Sequence, residues 1–305
     1  MTSNKYLIVL AGPTAVGKTK VAIKVAQHYQ TEIISADSRQ FYKEMAIGTA
    51  KPTKVEITQA PHHFINSLSI NDPYSVGDFE KDAQEKLSQL FENHDVVVMT
   101  GGSGLFIKAV CEGLDVFPDV PVEIRKEVND LFKNEGIDAL KEELKNSDPE
   151  YFEKVDQNNP MRLIRAIEVC RASGKPFSSF QNEKKAVRFY QPIYINLLME
   201  REILYDRINR RVDQMIAFGL ENEAKELFPL RHLASLQTVG YKEFFDYFDN
   251  KITKQKAIDL IKRNSRRYAK RQMTWLRKDE HWKTFHPHQI QEIIKYLEDN
   301  TKQEK

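Results

Sequence analysis

Residues 6–22 read YLIVLAGPTAVGKTKVA. An apolar run, a glycine-bounded loop and a helix-forming stretch follow one another directly. The loop, GPTAVGKT at residues 12–19, fits the phosphate-binding pattern G-x-x-x-x-G-K-[ST]. Such a loop needs a buried strand to deliver it and a helix to leave it. It therefore calls for an α/β fold with a parallel sheet flanked by helices and ligand loops at the strand C-terminal ends. Gly12 and Gly17 let the intervening backbone of Pro13, Thr14, Ala15 and Val16 curl, so that its N–H groups, which Pro13 lacks, face inward at phosphate oxygens. Lys18 adds a point charge, and the Thr19 hydroxyl suits a magnesium ion. Such loops usually hold ATP or GTP, so nucleotide binding is the first expectation. The pattern itself specifies a phosphate site, not which phosphate.

Three further apolar runs have the continuous character of strands covered on both faces. They are EIISA from Glu32, VVVM from Val96 and IYINLL from Ile193. Helical stretches lie between them: from the phosphate loop to Tyr29, from Ser75 onward, and after Gly104. Residues 118–188 differ. They are rich in charge, bracketed by FPDVP and KPFSSF, and helical in pattern throughout. We read them as an all-helical insertion between two strands of a core made of residues 1–117 and 189–305. From Arg201 the pattern is helical almost to the end, and the terminal EDNTKQEK is expected to fray.

Several side chains stand where chemistry would need them. Asp37 follows the second strand run, in ISADSRQFY, where a carboxylate beside a phosphate site can take a proton or approach magnesium. The same position also suits a helix cap. The third run ends in TGGSG, with no acidic residue of the kind an ordinary ATPase carries there. Its glycines permit close backbone approach to a ligand, and Ser103 offers a hydroxyl. Lys262, Arg263, Arg266, Arg267, Lys270 and Arg271 form three pairs spaced by four on a long helix. No acid lies between Leu260 and Lys278 to offset this stripe, so an anionic partner such as a nucleic-acid backbone is expected. Arg162, Arg165, Arg171, Arg207, Arg210 and Arg211 add basic surface. His62 and His63 lack companion ligands at zinc spacing.

Bulk properties exclude whole classes. With 305 residues, 41% hydrophobic and 30% charged, the chain has ample material for a globular core. Cys111 and Cys170, the two cysteines, cannot make a disulfide framework or a four-thiolate zinc site. The N-terminal apolar run is too short for a signal-peptide core or a membrane span. A cytoplasmic protein with no membrane association is expected, and a monomer with no obligate protein partner is the default. The net charge of +2 leaves nucleic-acid binding to be decided by charge distribution.

Taken together, these segments resemble the tRNA dimethylallyltransferase (tRNA isopentenyltransferase) family. The likeness runs from about Lys5 to Trp282. GPTAVGKT, ISADSRQFYKEMAIGTAKPT, APHHFINSL, DPYSVGDFEKDA, TGGSGLFIKAVCEGL, NNPMRLIRAIEV, RINRRVDQMIAFGLENEA, QTVGYKE and AKRQMTWLRKD carry it. The resemblance implies transfer of a dimethylallyl group from dimethylallyl diphosphate to the exocyclic amine of an adenosine. That adenosine is 3′-adjacent to the anticodon, in tRNAs reading codons that begin with U. It further implies that the phosphate loop cradles the donor diphosphate with Lys18, Thr19 and Mg²⁺, that Arg201 faces the same group, and that Asp37 is the general base. Asp37, Ser38, Arg39 and Gln40 would contact the target nucleotide. Ser103 stands where many relatives have threonine and keeps the hydroxyl. Arg125, Met161, Arg162, Leu163, Ile164 and Arg165 would contact the anticodon stem from the insertion. Lys270, Arg271 and Gln272 would contact the anticodon-loop backbone.

Two other classes compete. A small-molecule kinase explains GPTAVGKT but not the basic stripe or KRQMTWLR. A non-catalytic RNA-binding adaptor explains the stripe but not Asp37 beside an intact Lys18–Thr19 pair.

Overall fold

The computed structural model describes residues 4–181 and 186–301. Six strands form one parallel sheet in the order β3-β2-β4-β1-β5-β6. They are β1 (Tyr6–Ala11), β2 (Ile33–Ser35), β3 (His62–His63), β4 (Val96–Gly101), β5 (Gln191–Leu197) and β6 (Lys283–Phe285). The two edge strands, β3 and β6, carry no long apolar run and are not legible in the sequence pattern. His62 and His63 thus belong to the sheet: His62 Nδ1 meets the Ala60 carbonyl at 2.8 Å and His63 Nε2 meets Glu32 Oε2 at 2.5 Å. Among the described residues no cluster of three metal-ligating side chains occurs.

The central strands explain their own composition. β1 is buried along its whole length. Tyr6, Ile8 and Leu10 enter one core, and Leu7, Val9 and Ala11 enter the other. Successive side chains point to opposite faces, so a strand covered on both sides must be apolar at every position. The first core is closed by α1 (Lys18–His28), and the second by α3 (Val76–Asn93) and α4 (Gly104–Glu112), with the short α2 (Lys54–Gln59) between α1 and α3 in the chain. The helix α3 starts on a capping box. The Ser75 hydroxyl accepts the Asp78 N–H at 3.2 Å, and Asp78 Oδ2 accepts the Ser75 N–H at 2.8 Å. It then buries Phe79, Ala83, Leu87, Leu90 and Phe91, the one-face spacing of a helix.

The described residues divide into two compact units. One is Gly113–Ala186, and the other is the chain up to Glu112 and from Val187 onward. The first contains α5 (Val122–Glu135), α6 (Ile137–Ser147), α7 (Pro149–Lys154) and α8 (Pro160–Ser173), with no strand among its described residues. Its core is its own and includes Val128, Leu140, Leu144, Leu163 and Ile167. Asp148 is buried and ties the unit together. It accepts the N–H groups of Tyr151 at 3.0 Å and Ser178 at 2.6 Å, and the Ser178 hydroxyl at 2.9 Å.

From Arg201 onward the sheet-bearing unit is helical as expected, with one strand interrupting it. After α9 (Arg201–Ala217), α10 (Leu220–Leu227), α11 (Lys242–Phe248) and α12 (Lys254–Leu276), the chain enters β6 before α13 (Ile290–Thr301). The basic helix is α12, and β6 and α13 follow it. Of the terminal EDNTKQEK, residues 298–301 belong to α13, and residues 302–305 lie outside the described residues. No helix among the described residues is long and apolar enough to cross a membrane.

Candidate active site

The C-terminal ends of β1, β2 and β4 converge, and α9 and α12 carry side chains to the same place. A cavity of about 1010 Å³ opens there, within the sheet-bearing unit. Thr14, Ala15, Gly17, Lys18 and Thr19 of the phosphate loop line it. Gly12 and Pro13 do not line it, but their carbonyls accept the Lys18 ammonium at 2.9 and 3.0 Å. Val16 is fully buried in the core beneath. Burial pushes Lys18 down to about 8, against the pull of Asp37.

Asp37, Ser38, Arg39 and Gln40 line the same cavity, opposite in the chain but adjacent in space. Asp37 Oδ1 accepts the Arg39 N–H at 3.1 Å, and the Asp37 carbonyl accepts the Gln40 N–H at 3.0 Å. The carboxylate thus fixes its own turn as well as facing the cavity. Arg39 Nη1 donates to the Ser235 carbonyl at 2.8 Å. Ser103 Oγ accepts the Ser38 N–H at 3.2 Å and contacts Ser38 Oγ at 3.2 Å. Ser103 does not line the cavity; it holds the segment that does. Tyr268 of α12 also reaches Ser103, and burial together with the Asp37 charge pushes its phenol up to about 12.

The TGGSG glycines admit protein atoms. A Cβ on Gly101 would stand 2.3 Å from the Ala36 carbonyl oxygen, and one on Gly102 would stand 2.2 Å from Gln272 Nε2. Contact with backbone confines position 101 to glycine, whereas a side chain at 102 would have to displace the Gln272 amide. Gln272 is buried and bridges two loops. Its Oε1 accepts the Thr14 N–H at 2.8 Å, and its Nε2 donates to the Gly102 carbonyl at 2.9 Å. The amide expected on a nucleic-acid backbone anchors the phosphate loop and also lines the cavity.

Arg201 stands apart from this cluster. It is exposed at the start of α9, its guanidinium 5.0 Å from the Tyr205 ring centre, and it is not a cavity residue. Two turns on, Arg207 and Arg211 are. Arg211 Nη1 donates to Thr14 Oγ1 at 3.3 Å, and burial holds its guanidinium below its ordinary range, with Asp37 opposing that shift. Their spacing by four on a helix that buries Leu204, Ile208 and Val212 was the available signal.

The sequence model of the IPP transferase family matches residues 40–279. The tRNA dimethylallyltransferase of Christiangramia forsetii is 58% identical over 282 residues, covering 92% of this chain and 93% of its own. That of Flavobacterium johnsoniae is 49% identical, covering 98% and 99%. The solved full-length tRNA isopentenylpyrophosphate transferase of Bacillus halodurans superposes with a TM-score of 0.73 at 37% identity, covering 98% and 97%. The chain belongs to the IPP transferase family. A eukaryotic dimethylallyltransferase solved while acting on tRNA is also similar, with a TM-score of 0.74 at 26% identity, over 90% of this chain and 70% of that one.

The remaining residues of interest sort by exposure. On α12 the six cations split. Lys262 pairs with Asp213 of α9 at 2.5 Å, and Arg266 donates to Asn209 Oδ1 at 2.5 Å. Arg267 and Arg271 line the cavity, while Arg263 and Lys270 are exposed outside it. The acid missing from the α12 sequence is thus supplied in part by α9. In the helical unit, Arg125, Met161 and Arg162 are exposed, and Arg165 lies over the Phe117 ring at 5.5 Å. Leu163 and Ile164, by contrast, are core residues at 0% and 3% exposure, so their side chains cannot reach a partner.

Proposed function

We propose that this chain transfers a dimethylallyl group from dimethylallyl diphosphate to the exocyclic amine of the tRNA adenosine 3′-adjacent to the anticodon, in tRNAs reading codons that begin with U. The observation that carries the assignment of groups is the meeting of phosphate loop and Asp37 in one cavity, rimmed by Arg207, Arg211, Arg267 and Arg271. The amine nitrogen forms a bond to the allylic carbon as the carbon–oxygen bond to diphosphate breaks. The amine loses its proton to Asp37, and the electron pair leaves with diphosphate. Lys18 and Arg211 stand where negative charge grows on the leaving group, and preorganised cations of this kind act mainly on the transition state. An adenine amine is a weak nucleophile, so holding it in line matters as much as the basicity of Asp37. The base must leave its stack to enter such a cavity.

A hard cation fits the oxygen donors available. Thr19 and Asp37 both line the cavity, and a diphosphate adds further oxygens. Mg²⁺ held by Thr19 would neutralise part of the diphosphate charge. The exposed Arg125, Met161 and Arg162 would meet the anticodon stem, and Arg267, Lys270 and Arg271 the anticodon-loop backbone. Cytoplasmic location and a monomeric state accompany this reading. Incubation with labelled dimethylallyl diphosphate, unmodified tRNA and Mg²⁺ tests it, with ATP as the competing ligand. Label should enter tRNA with release of diphosphate; ATP turnover without labelled tRNA would instead favour the kinase.

A further inference from the structure

The motif IGTAKP at residues 47–52 has no role in the reaction as written, yet Gly48 to Pro52 form one wall of the cavity. What fixes that wall comes from α10. Glu223 Oε2 accepts the N–H groups of Ala46 at 3.0 Å and Ile47 at 2.8 Å. Its Oε1 accepts the Gly48 N–H at 3.0 Å and the Tyr241 hydroxyl at 2.7 Å. Three successive backbone N–H groups converging on one carboxylate make an anion nest, and the anion here is a side chain of the same protein. Bonds to a charged acceptor are the strong kind. The fully buried Tyr241 ring packs against Gly48, where a Cβ would come within 2.6 Å of it.

From the nest the constraint passes inward. Gln40 Nε2 donates to the carbonyls of Thr49 at 3.3 Å and Ala50 at 3.4 Å. The Gln40 N–H in turn closes the turn that begins at the Asp37 carbonyl. Lys51 Nζ donates to the Tyr42 carbonyl at 2.5 Å and to Asn66 Oδ1 at 2.6 Å, securing the far end of the wall. Glu223 does not itself line the cavity.

We propose that Glu223 is a positioning residue for the acceptor nucleotide. By closing the nest at residues 46–48 it sets the wall at 48–52 and, through Gln40, the turn that presents Asp37. The phosphate loop is tied separately, through Gln272 and Arg211, so donor binding does not depend on the nest. This rests on prenyl transfer occurring in this cavity.

Glu223→Gln keeps the shape but turns an N–H₂ toward N–H donors. Steady-state kinetics with tRNA and dimethylallyl diphosphate varied in turn should show kcat/KM for tRNA lower by about tenfold or more, with KM for the diphosphate within about twofold. Hydrogen exchange at the amides of 46–48, followed without substrates, should quicken by about tenfold. Tyr241→Phe removes one of the four bonds and should lower the same tRNA parameter by about threefold. It serves if Glu223→Gln does not fold, and tRNA kinetics unchanged by it would then count against the proposal. Tyr241→Phe altering donor KM alone, Glu223→Gln with unaltered tRNA kinetics, or a parallel rise in both KM values would each overturn it. Wild-type protein that transfers no label would overturn the parent reading, and the acceptor role with it. Transfer by wild type with unchanged Glu223→Gln tRNA kinetics sinks this proposal alone.

Discussion

Lys18 shows how one side chain is tuned by its surroundings. Partly withdrawn from water, its ammonium is lowered to about 8 from its unfolded value of 10.5. Between those two values the unfolded chain binds more protons than the folded one. Burial of the charged form therefore costs stability fully below pH 8, and stability rises as pH increases through this window. In the proposed reaction binding runs the other way, because a diphosphate would need the cation. The pH profile of kcat/KM for dimethylallyl diphosphate should fall on the alkaline side with an apparent pKa of about 8. In Lys18→Arg that limb should vanish; its persistence would assign it to another group. For Asp37→Asn we expect transfer to drop by about 100-fold or more while tRNA affinity changes only a few-fold. Single-turnover rates and filter binding separate the two, and near-wild-type transfer would remove Asp37 from the role of base. The placement of Asp37 at the end of β2 was legible from its apolar run. The role of Gln272 was not, because its partners Thr14 and Gly102 lie far from it in the chain.

Among elements, α12 and α8 show where periodicity stops informing. The spacing of cations on α12 follows from helix geometry, but their division among partners does not. Asp213 of α9 takes Lys262, and the cavity takes Arg267 and Arg271. Arg271→Ala should weaken tRNA binding and reduce the slope of log affinity against log salt by about one. Lys262→Ala should leave that slope unchanged, since its charge is already paired. Equal slopes for the two variants would mean the split has no consequence for binding. On α8, neighbours differ as sharply. Leu163→Ala should cost about 2–5 kcal/mol in the helical unit, whereas Met161→Ala, at 68% exposure, should stay within about 0.5 kcal/mol. Thermal unfolding measures both. The resemblance extended partner contacts to the whole run 161–165, yet a helix must turn some of any five consecutive residues inward.

For the whole molecule, the two cysteines report on separate units. Cys111 lies in the sheet-bearing unit, its thiol pushed up to about 12 by burial, and Cys170 lies in the helical one, also raised by burial. Neither should react with a thiol reagent in native protein at neutral pH. In rising denaturant, Cys170 should label first, because the smaller unit buries less apolar surface. Simultaneous labelling would mean the two units open as one. By itself the sequence determined the parallel sheet, the glycine-bounded loop between β1 and α1, the Asp37 position and the helical nature of the insertion. Each of these is written in contiguous residues, through strand apolarity, glycine placement and helix period. Tertiary structure alone decided the edge strands, the placement of Arg207 and Arg211 at the cavity, the turn of Gln272 toward the phosphate loop, and the Glu223 nest. These depend on which distant segments pack together, and a hydrogen bond formed across such a gap leaves no local period for the sequence to display.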